Sequence, residues 1–319
     1  LRSKKIILLL GPTGVGKTAL SLLLARYLNT EIISSDSMQV YKHMDIGTAK
    51  PTEEEKRYVK HHMIDIVEPW QSYSAGAYIK AVKPIIKKLI EDEKIPLVVG
   101  GTGLYIRAMT QGIFEGPSAD WDLRKSLINK ERESPGYIYN LLKTLDPYYA
   151  SKVMHTDLRR ITRALEVCLR SNKSFSELHR DFTIPLPYNF VKIGIKRNRK
   201  ELYDLINKRV DRMIESGLVD EVRGIINMIK EHSKTTDIFS LSSMQAIGYK
   251  EIAKHLYGEF NLYEAIRLIK KRSRNYAKRQ FTWFKKEEGI NWIDISGIFD
   301  PDEIFLIVKK FLESVFENP

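Results

Sequence analysis

Apolar positions along the 319-residue chain fall into two rhythms. The first third sets short unbroken apolar runs against stretches that repeat at helical spacing. Lys5 to Leu10 reads as a buried strand, and a helix follows over Ala19 to Tyr27, with Leu20, Leu23, Leu24 and Leu28 on one face. Glu31 to Ser34 gives a second strand. A polar segment from Tyr41 to His62 comes next, mobile in character, with Pro51 and three consecutive glutamates. A helix is expected from near Ser74 through Ile90, kinked at Pro84, and then a strand over Ile95 to Val99. Strands alternating with helices predict a parallel sheet with helices packed on it, the α/β class.

The rhythm changes at Gly116-Pro117. From Trp121 to about Arg180 the chain reads as helical, broken at Pro135-Gly136 and Asp146-Pro147. Strand character returns at Phe190 to Ile195. Amphipathic segments follow at about Arg199 to Glu215 and Leu218 to Lys230, with another from near Ser243. Ile290 to Ile295 is the best late strand, and Pro301 opens a last helix. The expected organisation is a core of residues 1–116 plus 185–319 and a helical insertion over 117–184.

The first strand runs straight into Gly11, Pro12, Thr13, Gly14, Val15, Gly16, Lys17 and Thr18, with a helical pattern behind it. That is a phosphate-binding loop in its proper context. Its backbone N–H groups and the helix N-terminus face an anion, Lys17 adds a charge, and the Thr18 hydroxyl suits Mg²⁺. The loop specifies a phosphate or diphosphate and not ATP. Two more strand ends carry polar groups. Asp36 suits a general base or a metal ligand, Gln39 carries an amide able to read a base edge, and Thr102 stands between Gly101 and Gly103 with room for its hydroxyl.

Fifty-two lysines and arginines against 40 acidic residues leave a net charge of +12. The placement matters more than the sum. Nine basic residues and no acidic one fall between Arg267 and Lys286, interleaved with Tyr276, Phe281, Trp283 and Phe284. Arg267, Lys271, Arg274 and Lys278 form one helical stripe, which repels itself unless solvent or a polyanion compensates it. Arg159, Arg160, Arg163 and Arg170 make a second cluster inside the insertion. Two such surfaces beside a phosphate loop point to a folded RNA. The single cysteine, Cys168, excludes a disulfide framework and a Cys-based zinc site. No apolar run is long enough to span a bilayer and no signal-peptide pattern is present, so a reducing cytoplasmic setting is expected. On these residues alone two chemistries stay open: an ATP-dependent small-molecule or nucleotide kinase, and a transferase using another phosphorylated donor on RNA.

The chain closely resembles the bacterial tRNA dimethylallyltransferases. The resemblance rests on Gly11 to Thr18, Ile33 to Tyr41, Met44 to Pro51, His61 to Asp65, Val99 to Tyr105, Arg163 to Val167, Ala246 to Lys250, Tyr276 to Gln280, and Thr282-Trp283, in family order over nearly the whole chain. It implies a phosphate-loop-type parallel sheet with an inserted helical domain. It further implies transfer of a dimethylallyl group from dimethylallyl diphosphate to N6 of adenosine 37 in tRNAs with adenosines at 36 to 38, with release of diphosphate. By the same resemblance Asp36 takes the N6 proton and Thr102 acts at the same centre. Residues 11–18 with Arg209 hold the diphosphate, and Mg²⁺ sits by Thr18. The core and C-terminal helices form the catalytic channel. The insertion grips the anticodon arm. Contacts to tRNA are implied for Asp36, Ser37, Met38, Gln39, Thr102, Arg124, Arg159, Arg160, Ile161, Thr162, Arg163, Lys278, Arg279, Gln280 and Trp283. No membrane and no obligate protein partner are expected. Two departures stand out: Gly14-Val15 replaces a frequent Ala-Ser, and Met38 a frequent Arg.

Overall fold

The computed structural model describes residues 5–114, 116–181, 183–233, 235 and 237–317. The outermost bounds expected for the core, residues 1 and 319, lie outside that set. The described chain forms two compact units, one of residues 1–106 and 187–319, the other of residues 107–186.

In chain order the elements are β1 (Lys5–Leu10), α1 (Lys17–Tyr27), β2 (Ile32–Ser35), α2 (Glu53–Tyr58), β3 (His61–His62), α3 (Ala75–Glu91), β4 (Leu97–Gly100) and α4 (Gly103–Thr110). The helices α5 (Trp121–Glu133), α6 (Tyr137–Leu145), α7 (Pro147–Ala150), α8 (Leu158–Ser171) and α9 (Phe175–Asp181) come next. The chain closes with β5 (Asn189–Lys196), α10 (Arg199–Glu215), α11 (Leu218–His232), α12 (Tyr249–Leu256), α13 (Leu262–Phe284), β6 (Ile290–Asp294) and α14 (Pro301–Glu317).

All six strands are parallel, in the order β3-β2-β4-β1-β5-β6. β1 is central because it is apolar on both faces: Ile6 to Leu10 are fully buried. In register, Leu10 lies between Gly100 of β4 and Gly194 of β5, so β1 and β4 finish level and β5 runs two residues further, to Lys196. Leu20 and Leu24 of α1, Leu202 and Ile206 of α10, and Ile304, Val308 and Leu312 of α14 share one core with Ile7, Leu9, Ile193 and Ile195. A second core joins α10 to α13 with Val40, Tyr41 and Met44.

Those three residues overturn one expectation. The segment from Tyr41 to His62 is pinned, and it contains α2 and the two-residue edge strand β3. Lys50 is buried and donates to the Tyr41 carbonyl at 2.6 Å, to Asp45 at 2.6 Å and to Asp65 at 2.5 Å. From α11, the Glu221 carboxylate accepts backbone N–H bonds from Asp45 (3.0 Å), Ile46 (2.7 Å) and Gly47 (3.2 Å). A Cβ at Gly47 would meet the Tyr249 ring at 2.4 Å, so only glycine lets the loop lie this close. The expected helix from Ser243 also differs. Only a single 3₁₀ turn forms at Ser243–Gln245, and Gly248, at φ +100°, stops the path before α12 begins.

Described by itself, the second unit is a small helical bundle around Leu127, Ile138, Leu142, Ile161 and Leu165. Cys168 is buried there, and burial pushes its thiol up, so it has little thiolate character. Among the described residues no helix is long and apolar enough to cross a membrane.

Candidate active site

Four strand ends build the site. After β1 the loop turns through Gly14 (φ +80°) and Gly16 (φ +109°), left-handed positions that carry no Cβ penalty only in glycine. Lys17 folds back over this loop and donates to the carbonyls of Gly11 (2.9 Å) and Pro12 (2.8 Å). Arg209 reaches in from α10, with Nη1 3.4 Å from the Thr13 hydroxyl. Burial, and then the neighbouring Arg209 charge, push the Lys17 ammonium down to about 7, against the pull of Asp36. Burial lowers Arg209 as well. Two desolvated cations without a matching pair of anions favour an incoming polyanion. Thr18, at the exposed start of α1, presents a hydroxyl beside them.

After β2, Asp36 is oriented through Oδ1, which accepts from the N–H of Met38 (2.8 Å) and of Gln39 (3.4 Å). After β4, the Thr102 hydroxyl accepts from the Ser37 N–H at 3.0 Å and lies 3.5 Å from the Ser37 hydroxyl. The Thr102 N–H donates to the Ser35 carbonyl at 3.2 Å. The two loops touch because Gly100 has no side chain: a Cβ there would sit 2.3 Å from the Ser35 oxygen. Tyr276 of α13 brings its hydroxyl to Thr102, and burial together with the Asp36 charge raises its pKa, keeping the phenol protonated. The phosphate loop, Asp36, Gln39, Arg209, Tyr276 and Arg279 all line one cavity of about 760 Å³. An anion-binding end and a carboxylate–hydroxyl pair therefore share a single chamber, which suits transfer from a phosphorylated donor to a nucleophile.

The family model of the IPP transferases matches residues 39–287. A tRNA dimethylallyltransferase of Thermodesulfovibrio yellowstonii is 62% identical over 297 residues, covering 93% of this chain and 94% of the relative. The chain belongs to the tRNA dimethylallyltransferase family. Among solved structures, the tRNA isopentenylpyrophosphate transferase of Bacillus halodurans superposes with a TM-score of 0.70 at 38% identity, over 99% of this chain and 97% of that one. A eukaryotic dimethylallyltransferase, described as acting on tRNA, gives 0.82 at 31% identity, over 98% and 80%.

Within this dimethylallyltransferase-family chain the expected site residues part into two groups. Residues 13–18, Asp36, Ser37, Met38, Gln39, Arg209, Arg279 and Gln280 line the cavity, and Thr102 hydrogen-bonds to Ser37 and Tyr276 of that same lining. Gly11 and Pro12 turn their carbonyls to Lys17. Lys278 and Arg279 are exposed on α13, and Arg159 and Arg160 on α8. Others are committed inside the protein. Gln39 accepts from the Ser34 hydroxyl (2.9 Å) and donates to the carbonyls of Thr48 (3.3 Å) and Ala49 (3.2 Å). Arg124 clasps the fully buried Glu166 through two bonds of 2.9 and 2.8 Å, and Arg163 bonds Glu166 and the Pro117 carbonyl. Ile161 and Thr162 are buried in the helical bundle. Trp283 lies over Gly103, where a Cβ would come within 2.4 Å of the indole.

Sequence reasoning gave no role to Arg197, directly after β5. Its buried guanidinium donates to the carbonyls of Val15 (3.3 Å), Ile295 (3.0 Å) and Ile298 (2.6 Å), and so braces the phosphate loop from behind. Its position immediately after a strand, shared with the other site groups, was the available signal.

Proposed function

We propose that the chain transfers a dimethylallyl group from dimethylallyl diphosphate to N6 of adenosine 37 in tRNAs with adenosines at 36 to 38. The observation that carries this reading is the single chamber in which the phosphate loop, with its two desolvated cations, is joined to the Asp36–Thr102 loop pair. The family's chemistry supplies the donor and the acceptor.

In this reading the donor's diphosphate lies in the loop of residues 11–18 against Lys17 and Arg209. The exocyclic amine of a flipped adenine attacks the allylic carbon. The new C–N bond forms as the C–O bond to diphosphate breaks, and the N6 proton passes to the Asp36 carboxylate. The Thr102 hydroxyl, bonded to Tyr276, holds the amine in line. Because that amine is a weak nucleophile, alignment and stabilisation of the departing diphosphate supply most of the rate.

Family membership carries Mg²⁺ dependence with it. Among the described residues no three acidic, His or Cys side chains are grouped as a metal cage. A hard cation held mainly by phosphate oxygens and water needs only one or two protein oxygens, and the Thr18 hydroxyl is placed for that role. Mg²⁺, when bound there, neutralises part of the diphosphate charge as it departs. Lys278 and Arg279 on α13 and Arg159 and Arg160 on α8 are the proposed contacts to the anticodon arm.

The test is nucleoside mass spectrometry of unmodified tRNA incubated with the protein, Mg²⁺ and dimethylallyl diphosphate, with ATP replacing the donor in a parallel reaction. A five-carbon addition at adenosine 37 only with the isoprenyl donor is the expected result. ATP consumption without RNA modification would replace this reading with the kinase.

A further inference from the structure

Helix α13 turns a different face to each side of the site. Its exposed residues Lys278 and Arg279 are the proposed RNA contacts, yet Gln280, the next residue, is buried. The Gln280 Oε1 accepts the backbone N–H of Thr13 in the phosphate loop at 2.8 Å, and Nε2 donates to the carbonyl of Gly101 at 2.9 Å. One amide thus joins the loop after β1 to the loop after β4, immediately before Thr102. These two partners are backbone groups, so the bond lengths fix loop against loop, and the same amide also meets the Tyr276 hydroxyl. The fit is close: a Cβ at Gly101 would lie 2.2 Å from Nε2, which explains glycine there. Only a side chain with an acceptor and a donor on one rigid plane makes this bridge. Glutamate offers no donor to Gly101, and asparagine is one carbon too short.

We infer that Gln280 is a positioning residue that sets the donor's diphosphate loop in register with the acceptor's Asp36–Thr102 loop, and that it does not contact tRNA. The inference rests on the transferase reading above. In that reading the allylic carbon hangs from the first loop and the adenine amine lies against the second. The distance between the reacting atoms is then the distance this amide controls. A misplacement of about 1 Å between reacting groups costs about 10²-fold in rate.

The experiment is single-turnover transfer at saturating donor and tRNA for the wild type, Gln280→Met and Gln280→Glu, with separate measurement of tRNA binding and thermal midpoint. Methionine fills the same volume and removes both hydrogen bonds. Glutamate keeps the acceptor for Thr13 alone. The expected result is a rate about 10–100-fold lower for Q280M, partial recovery in Q280E at saturating donor, and tRNA affinity within about twofold of wild type. A Q280M rate equal to wild type would overturn the inference and leave Gln280 a packing residue. Weakened tRNA binding with an unchanged saturated rate would overturn it in favour of an RNA contact. If Q280M fails to fold, Q280E decides by the same criteria. Absence of transfer by the wild-type protein would instead overturn the transferase reading, and this inference with it.

Discussion

Glu31 precedes β2 and gathers two lysines and the His62 ring at the amino-terminal end of the sheet. Its carboxylate lies 2.6 Å from His62 of β3, 2.9 Å from Lys94 ahead of β4, and 3.2 Å from Lys60. These partners overcome the cost of burial and hold the carboxyl at about 2, against an ordinary 4.5. A depression of that size corresponds to a ceiling of about 3 kcal/mol. Lys60 is 62% exposed and Lys94 30%, so solvent screening takes about half of that, leaving about 1–2 kcal/mol. Because the folded pKa is depressed, the stabilisation is complete above the unfolded value of about 4.5 and is lost as pH falls through about 2.

Glu31→Gln should therefore lower the unfolding free energy by about 1–2 kcal/mol at pH 7, and the gap from wild type should shrink by more than half by pH 3. Denaturant unfolding at pH 7, 5, 4 and 3, followed by tryptophan fluorescence and circular dichroism together, reads both numbers. A gap that stays constant from pH 7 to pH 3 would refute the reasoning, since it would mean that the glutamine fails through shape and not charge. A gap below about 0.3 kcal/mol at pH 7 would mean that the partners are as well solvated without Glu31 as with it.

Asp36→Ala should reduce the single-turnover transfer rate by about 10²–10⁴-fold with tRNA affinity little changed; an unaltered rate removes Asp36 from the base role. Glu166→Ala takes a fully buried carboxylate from Arg124, Arg163 and the Asp120 N–H. Both arginines keep partial access to water, so the loss should fall near the low end of the 3–5 kcal/mol typical of a broken buried pair. It should appear in calorimetry as early melting of the helical insertion. Replacing Lys278 and Arg279 by Gln should weaken tRNA binding and reduce the slope of log affinity against log salt by about 1 per residue. An unchanged slope in filter-binding titrations would put both side chains outside the interface.

The strands of the sheet were legible because a central parallel strand must be apolar on both faces, as β1 and β4 are, and because β5 sets Val191, Ile193 and Ile195 on one buried face. β3 was not, since two histidines carry no strand pattern and pair only because Ile32 and Ile33 offer a register for them. The segment before it reads as loose because its buried groups are polar: Lys50 is inside on the strength of two aspartates and a carbonyl, Asp45, Asp65 and Tyr41, whose spacing follows no helix or strand period. The same logic divides the site. Lys17, Asp36 and Thr102 were legible because each stands at or just past a strand end, where an open α/β sheet puts its chemistry. Gln39 and Gln280 have the groups to read a base, but those same groups satisfy buried backbone carbonyls and N–H groups, and composition cannot distinguish the two uses.

The basic stripe makes the point quantitatively. Counted along the sequence, α13 and its end carry nine cations, enough for a salt slope of about −6 to −8 if each met a phosphate. In the folded chain Arg267 is held by Glu264, Lys270 by Asp211, Arg272 by Glu251, and Arg274 by Asn207. Two of the four stripe residues, Arg267 and Arg274, and their neighbours Lys270 and Arg272 are thus met by acidic and amide side chains, three of them on other helices, before any RNA arrives. With Lys278, Arg279, Arg159 and Arg160 as the contacts, the slope for tRNA should be about −3 to −4. A measured slope near −7 would mean that further cations, Lys271, Lys285 and Lys286 first and then the paired ones at the cost of separating them, also meet phosphates, so that four contacts are too few.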